Sequence, residues 1–184
     1  MERIALEGLV SAYSLHNTLK ISTSHAQWWL SYLEDLGLAR VYVREPKGRR
    51  TALYGLTDLG FLMAVKRARV RHDFAKIFAK FIDYQDAGAD QIVKVTNRKL
   101  KQNLFDALKS AEISDRYRDF FLSISNALDE LTDIYSMDDS TVIQLAAFLA
   151  GIREPEKMRL FVRDVSPRVL IVQRIMEAYQ QAAM

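Results

Sequence analysis

Residues 22–60, STSHAQWWLSYLEDLGLARVYVREPKGRRTALYGLTDLG, spell in order a helix, a two-stranded hairpin with a cationic tip, and the capped start of another helix. In the first helix Ser22 and Ser24 are candidates to cap orphan backbone amides, and Ala26, Trp29, Leu30, Leu33 and Leu36 recur at helical spacing. The pattern predicts one apolar stripe turned toward a core, with Trp29 in it and Trp28 outside it. His25, Gln27, Trp28, Ser31 and Tyr32 fall on the outer side. Gly37 stands where a left-handed residue ends a helix at small steric cost, and Leu38 is placed to pack back beneath it.

Working outward, SAYSLHNTLKIS (residues 11–22) carries Leu15, Leu19 and Ile21 and reads as a shorter helix with its turn. Two short helices joined by a tight turn form the helix-turn-helix unit, whose second helix usually enters the DNA major groove. On the other side, Arg40 to Arg44 alternates, with Val41 and Val43 on one face and Tyr42 on the other. Thr51 to Leu56 answers it with Leu53 and Tyr54. The connection Glu45-Pro46-Lys47-Gly48-Arg49-Arg50 has turn punctuation, and Arg44, Lys47, Arg49 and Arg50 gather there against Glu45 alone. Thr57 is placed to cap a helix beginning at Asp58, an acid where the macrodipole favours one. A hairpin in this position is a wing.

The run LSYLEDLGLARVYVREPKGRRTALYGLTDLG resembles the winged helix-turn-helix of the MarR and PadR regulators, with the closing Leu-Thr-x-x-Gly as Leu56, Thr57 and Gly60. Tyr13 and Leu15 stand where PadR proteins carry Tyr-x-Leu. The resemblance covers about the first 70 residues and implies DNA binding by a transcriptional regulator. There are departures. Gly48 occupies the place of a MarR aspartate, which removes a wing-bracing salt bridge to Arg50. The residues ahead of position 10 are too few for the long MarR dimerisation helix, so the PadR mode, dimerisation through C-terminal helices, suits the chain better. Residues 90–184 match neither family.

The composition is that of a globular protein: 184 residues, 49% hydrophobic, enough for one good core or two small ones. No apolar run approaches the roughly 20 residues that cross a bilayer, and the N-terminus lacks a signal-peptide pattern. Without cysteine, thiolate zinc sites, disulfides and cysteine catalysis are excluded. A cytoplasmic, nucleoid-associated location is the expectation. The net charge of +3 says less than its distribution. Residues 40–72 hold nine Lys or Arg against Glu45 and Asp58, or +7. Residues 73–184 hold fifteen against seventeen, or −2. A positive field on the wing and on Lys66-Arg67-Ala68-Arg69-Val70-Arg71-His72 steers toward phosphates.

Beyond the wing the periodicity is helical. A long helix is predicted from Asp58 through Phe61, Leu62 and Val65 to Phe74, Ile77, Phe78 and Phe81, with its continuity across Arg71-His72-Asp73 open. Ala87-Gly88-Ala89-Asp90 interrupts it. Further helices are predicted from Ile92 to about Ala111, from a Ser114 cap through Ile134, from an Asp138 or Ser140 cap through Val142 to Ala150 and ended by Gly151, and from Ser166-Pro167 to the C-terminus. A short segment spans Glu154 to Val162. The fold class is therefore mainly α with a small β-hairpin: a winged helix-turn-helix over 1–72, a connecting helix over 73–89, and an all-α helical domain over 90–184. The last helix, with Val169, Leu170, Val172, Ile175, Met176, Ala178 and Tyr179, has apolar surface to spare for a second copy, so a homodimer through the C-terminal helices is expected.

The candidate DNA-binding residues are Ser22, Thr23, Ser24, His25, Gln27, Trp28 and Ser31 on the presumed recognition helix, and Arg44, Lys47, Arg49 and Arg50 on the wing. The partner expected is double-stranded DNA, base edges being read by the helix and the backbone or minor groove held by the wing. His16, His25 and His72 lie apart with no acids at ligand spacing, so no metal is expected. Asp138-Asp139 reads as a helix cap, and Asp129, Glu130 and Asp133 as a solvated face. No phosphate loop, Ser-His-Asp set or HExxH occurs. Neither an enzyme nor a cofactor is implied, and no residue names an effector ligand. Two other classes fit the sequence. One is a non-specific or architectural DNA-binding protein of plasmid, viral or chromosomal type. The other is a winged-helix protein-interaction module with Trp28 and Tyr32 as contacts.

Overall fold

Three short helices open the chain. In the computed structural model, which describes residues 1–44, 52–85, 102, 105–131 and 138–157, they are α1 (Glu2–Glu7), α2 (Ala12–Leu19) and α3 (Thr23–Asp35). The starts of α2 and α3 have a chemical cause. Ser11 and Ser14 exchange side chain and amide as a capping box before α2, and the Ser22 hydroxyl accepts from the His25 amide (3.1 Å) before α3. Lys20 closes α2 in the left-handed region at φ 58°. The His16 imidazole Nδ1 donates to the Ile21 carbonyl (2.5 Å), fixing the three-residue turn between the helices. Gly37, at φ 68°, ends α3 as expected.

Strand β1 (Ala39–Arg44) pairs antiparallel with β2 (Ala52–Leu56). The described residues are thus mostly helical with one small two-stranded sheet. Val41 faces Tyr54 and Val43 faces Leu53, so Tyr42 is an extra residue and the plain alternation expected of this strand is broken by a bulge. Val10 bridges Tyr54 from the other edge, with N···O distances of 2.9 and 2.8 Å. The hairpin's outer end, residues 45–51, lies outside the described residues.

Helix α4 (Asp58–Val65) follows β2, and its cap is the predicted one: the Thr57 hydroxyl accepts from the Gly60 amide (3.1 Å). The same hydroxyl donates to the Gly37 carbonyl (2.6 Å), joining the end of α3 to the start of α4. Gly60 permits the approach. A Cβ there would sit 1.9 Å from the Leu38 carbonyl oxygen. Everything in α4 except Met63 is buried.

The predicted long helix is in fact three: α4, α5 (Ala68–His72) and α6 (Phe74–Gln85). Along one straight helix residues 61 and 81 would be about 30 Å apart. Their rings stack with centroids 4.2 Å apart, because breaks at Arg67 and Asp73 fold the chain back on itself. Helix α7 (Ala111–Leu128) brings Phe121 against Phe61 and Phe78, with ring centroids 5.7 and 5.0 Å apart. Buried Ser125 donates to the Leu62 carbonyl (2.5 Å). Helix α8 (Asp139–Arg153) packs on α7 and also touches α4. One continuous core therefore runs from Ile4 to Ala150, with α4 at its centre.

The bounds of α7 and α8 differ from expectation, and one open alternative is decided. Helix α7 begins after Ser110, leaving Ser114 inside it, since the apolar face starts a turn earlier at Ile113. Helix α8 passes through Gly151 and stops at Arg153, because Glu154 precedes Pro155 and a residue before proline is pushed out of the helical region. Asp138, not Ser140, caps it, accepting from the Thr141 amide (3.0 Å). The predicted interruption at 87–90, most of the helix from Ile92, and the C-terminal helix from Ser166 lie outside the described residues.

Candidate nucleic-acid interface

Among the described residues helix α3 packs chiefly on α2 and β1, along a narrow face. Ala26 and Leu30 are buried there, Leu33 and Leu36 half-buried. Trp29, expected in that stripe, is 43% exposed. At the stripe's margin the described elements that pack on α3 leave the indole largely uncovered. Trp28 is 57% exposed, so neither tryptophan is a core residue.

The outward part of α3 divides into two edges. Ser24, Gln27 and Ser31, at i, i+3 and i+7, form a polar edge. Gln27 donates from its amide nitrogen to the Tyr54 hydroxyl (3.1 Å) on β2, so this edge adjoins the hairpin. Ser24 and Gln27 are exposed and Ser31 half-buried. Ser22, as cap, has its hydroxyl committed, and Thr23 is exposed in the first turn.

His25, Trp28, Trp29 and Tyr32, at i, i+3, i+4 and i+7, form an aromatic edge. Trp28 and Tyr32 lie parallel within 5° with centroids 5.5 Å apart, while Trp29 stands edge-on to Trp28 (5.0 Å, 74°). The Trp29 indole donates to His25 Nε2 (2.6 Å). An indole N–H can only donate, so His25 Nε2 is the unprotonated nitrogen and Nδ1 carries the hydrogen. Reading the stripe as including Trp29 concealed this edge, although the spacing 25, 28, 29, 32 was present in the sequence.

The base of the hairpin is fastened to α6. The Arg40 guanidinium lies over the Tyr42 ring (4.5 Å) and donates to the Gln85 side chain (3.0 Å). Gln85 in turn donates to the Tyr42 hydroxyl (2.8 Å), which donates to the Leu56 carbonyl (2.9 Å). The Leu56 amide donates to the Tyr84 hydroxyl (3.1 Å). Burial raises both phenols above the ordinary tyrosine value, so both remain protonated donors at neutral pH. A Cβ on Gly55 would come within 2.8 Å of the Tyr84 ring, so glycine permits that ring to approach the strand this closely. Arg44 ends β1 opposite Ala52. Lys47, Arg49 and Arg50 lie outside the described residues.

A second cationic stretch sits on α5, which packs on α1, α4 and α6. Lys66 is ion-paired with Asp129, and the His72 ring nitrogen Nδ1 lies within hydrogen-bond distance of the Asp73 carboxylate (2.9 Å). Arg67, Arg69 and Arg71 are exposed, and none of the ion pairs among the described residues includes them. Also among the described residues, no group of three or more His, Asp or Glu is placed to hold a metal ion, and no helix is long and apolar enough to cross a membrane.

No protein-family model, curated protein or solved structure matches the chain.

Proposed function

We propose that this protein is a DNA-binding transcriptional regulator of winged helix-turn-helix type, with α3 as the helix that approaches the major groove and the β1–β2 hairpin as the wing. The observation that carries the reading is the polar edge of α3, set beside a hairpin whose connecting sequence holds Lys47, Arg49 and Arg50. Short hydroxyl and amide side chains reach base edges without filling the groove, while arginines on a turn neutralise phosphates. The α2–α3 turn, held by Lys20 and His16, supports the same reading by fixing the angle at which α3 is presented. Dimerisation through the C-terminal helices would match a two-fold operator. Light scattering is expected to give twice the chain mass at micromolar protein.

The test is binding of a randomised duplex pool followed by recovery and sequencing of bound fragments. A palindromic consensus is expected, with affinity falling steeply as salt rises. Each wing arginine replaced by glutamine lowers the salt slope by about one and weakens all sequences alike. Ser24→Ala or Gln27→Ala shifts the consensus instead. Equal affinity for every sequence favours an architectural protein over a regulator. Unchanged affinity at low salt after charge reversal of Arg49 and Arg50 removes the wing from the account.

A further inference from the structure

We propose that α5 is a second phosphate-contact surface, on which Arg67, Arg69 and Arg71, with Lys76 beside them, take the sugar-phosphate backbone of a duplex segment other than the one that α3 and the hairpin engage. This rests on the DNA-binding reading and adds a second DNA contact to it.

The charge lies on the surface itself. Residues 66–76 hold five Lys or Arg against Asp73 alone, or +4. Several cations elsewhere meet acids: Arg3 pairs with Glu7, Lys109 with Asp106, Arg118 with Asp115 and Arg153 with Glu130. On this surface Lys66 has Asp129, and Asp73 faces the His72 ring. Arg67, Arg69, Arg71 and Lys76 are exposed, and none of them enters an ion pair among the described residues. The arrangement is unfavourable by itself, since Arg67 and Arg71 stand i, i+4 and repel each other. Val70 is buried and seats the helix on the core, so packing holds these like charges together. Such a concentration of one sign attracts a polyanion.

The cations form a row, which fits a strand better than a small anion. Helix residues four apart have Cβ atoms about 5–6 Å from each other. Lys76 extends the row, since it and Arg71 line one cleft between the start of α6 and α7. The carboxylates of that cleft, Asp73 and Asp115, are turned to His72 and Arg118. A DNA strand sets down a phosphate about every 3.4 Å of axis, so several fall within reach of the row. The row is also remote from the wing. Thr57, bonded to Gly37 at the end of α3, starts α4, and the 8 residues of that helix cover about 12 Å before α5 begins. Helix α6 then runs 12 residues, about 18 Å, from Phe74 beside α5 to Tyr84 and Gln85 at the base of the hairpin. Helix α5 thus lies at the opposite end of α4 and α6 from the hairpin base, and the phosphates it holds are not those at the wing.

Co-capture by the full-length protein tests this. One short duplex is tethered to beads, and a second, fluorescent duplex is retained only by protein that holds two segments at once. The wild type is expected to retain it. The triple variant Arg67→Gln, Arg69→Gln, Arg71→Gln should lower co-capture about tenfold or more and its salt slope by about three, while binding of the tethered duplex alone stays as it was. The variant Arg67→Lys, Arg69→Lys, Arg71→Lys, which keeps the charge, retains most of the co-capture. Because a dimer could join two duplexes through its two α3 helices, the glutamine variant decides the matter. Unchanged co-capture in that variant overturns the second surface, as does a wild type that binds one duplex and never a second. Both results leave the DNA-binding reading standing. Loss of the tethered duplex as well, with circular dichroism unaltered, assigns α5 to the same segment as α3 and likewise overturns the proposal. Failure of the wild type to bind any duplex overturns both readings.

Discussion

Helices α3 and α4 come from the same forty-residue stretch, yet they are opposite kinds of object. Helix α4 is buried around nearly its whole girth, with Leu59, Gly60, Phe61, Leu62, Ala64 and Val65 all inside. Helix α3 is the longer of the two and buries only Ala26 and Leu30. A helix apolar all round belongs to the interior, whereas one that covers a single stripe keeps the remainder for solvent or for a partner. The contrast assigns stability to α4 and contact to α3, and substitutions can break that assignment.

The largest effect is expected at Phe61. Its ring touches those of Phe74, Phe78, Phe81 and Phe121, so it joins α4 to α6 and α7 at once. Phe61→Ala should cost about 4 kcal/mol, a transfer loss plus a cavity that four rigid rings cannot close. Chemical denaturation followed by circular dichroism measures it. A loss below about 1 kcal/mol would mean that α4 is not the centre of the core.

Gly60→Ala comes next. The added methyl meets the Leu38 carbonyl oxygen, which is backbone and cannot swing aside, so α4 must move off the α3–β1 junction. About 3 kcal/mol is expected, the upper end of overpacking costs. Thr57→Ala follows at about 2 kcal/mol, since one hydroxyl both caps α4 and donates to the Gly37 carbonyl. Thr57→Ser keeps both bonds and should recover most of the loss. Absence of that recovery would assign the effect to the methyl group instead of the cap.

These two positions also mark what the sequence discloses. Caps and stops are local chemistry, so Ser22, Gly37, Thr57 and Asp138 could be read directly, as could the hairpin between them. The folding-back of α4, α5 and α6 could not. Phe61, Val65, Phe74, Ile77, Phe78 and Phe81 suit one continuous helix equally well, with no Pro or Gly between residues 61 and 85 to break it. The burial of these rings against one another and against Phe121 favours the bent path, and that gain is tertiary. Trp29 failed for the related reason that periodicity gives the direction of a side chain but not the depth of the wall it faces. In the candidate site, the polar edge of α3 was legible from residue type. The aromatic edge needed the knowledge that, among the described residues, α2 and β1 are the chief neighbours of this helix.

The smallest stability effect should therefore fall on the largest side chains. Trp28→Ala and Trp29→Ala are each expected to cost less than about 1 kcal/mol, because each indole already stands partly in water and gives up mainly its contacts with the other rings of the edge. Trp29→Ala should cost slightly more than Trp28→Ala, since it also removes the hydrogen bond to His25. Denaturation midpoints of the two variants, set beside that of Phe61→Ala, measure the contrast between the helices directly. A loss above about 2 kcal/mol at either tryptophan would place that ring in the core after all. The contrast between α3 and α4 would then fail, since a ring held that firmly by its own chain belongs to the core.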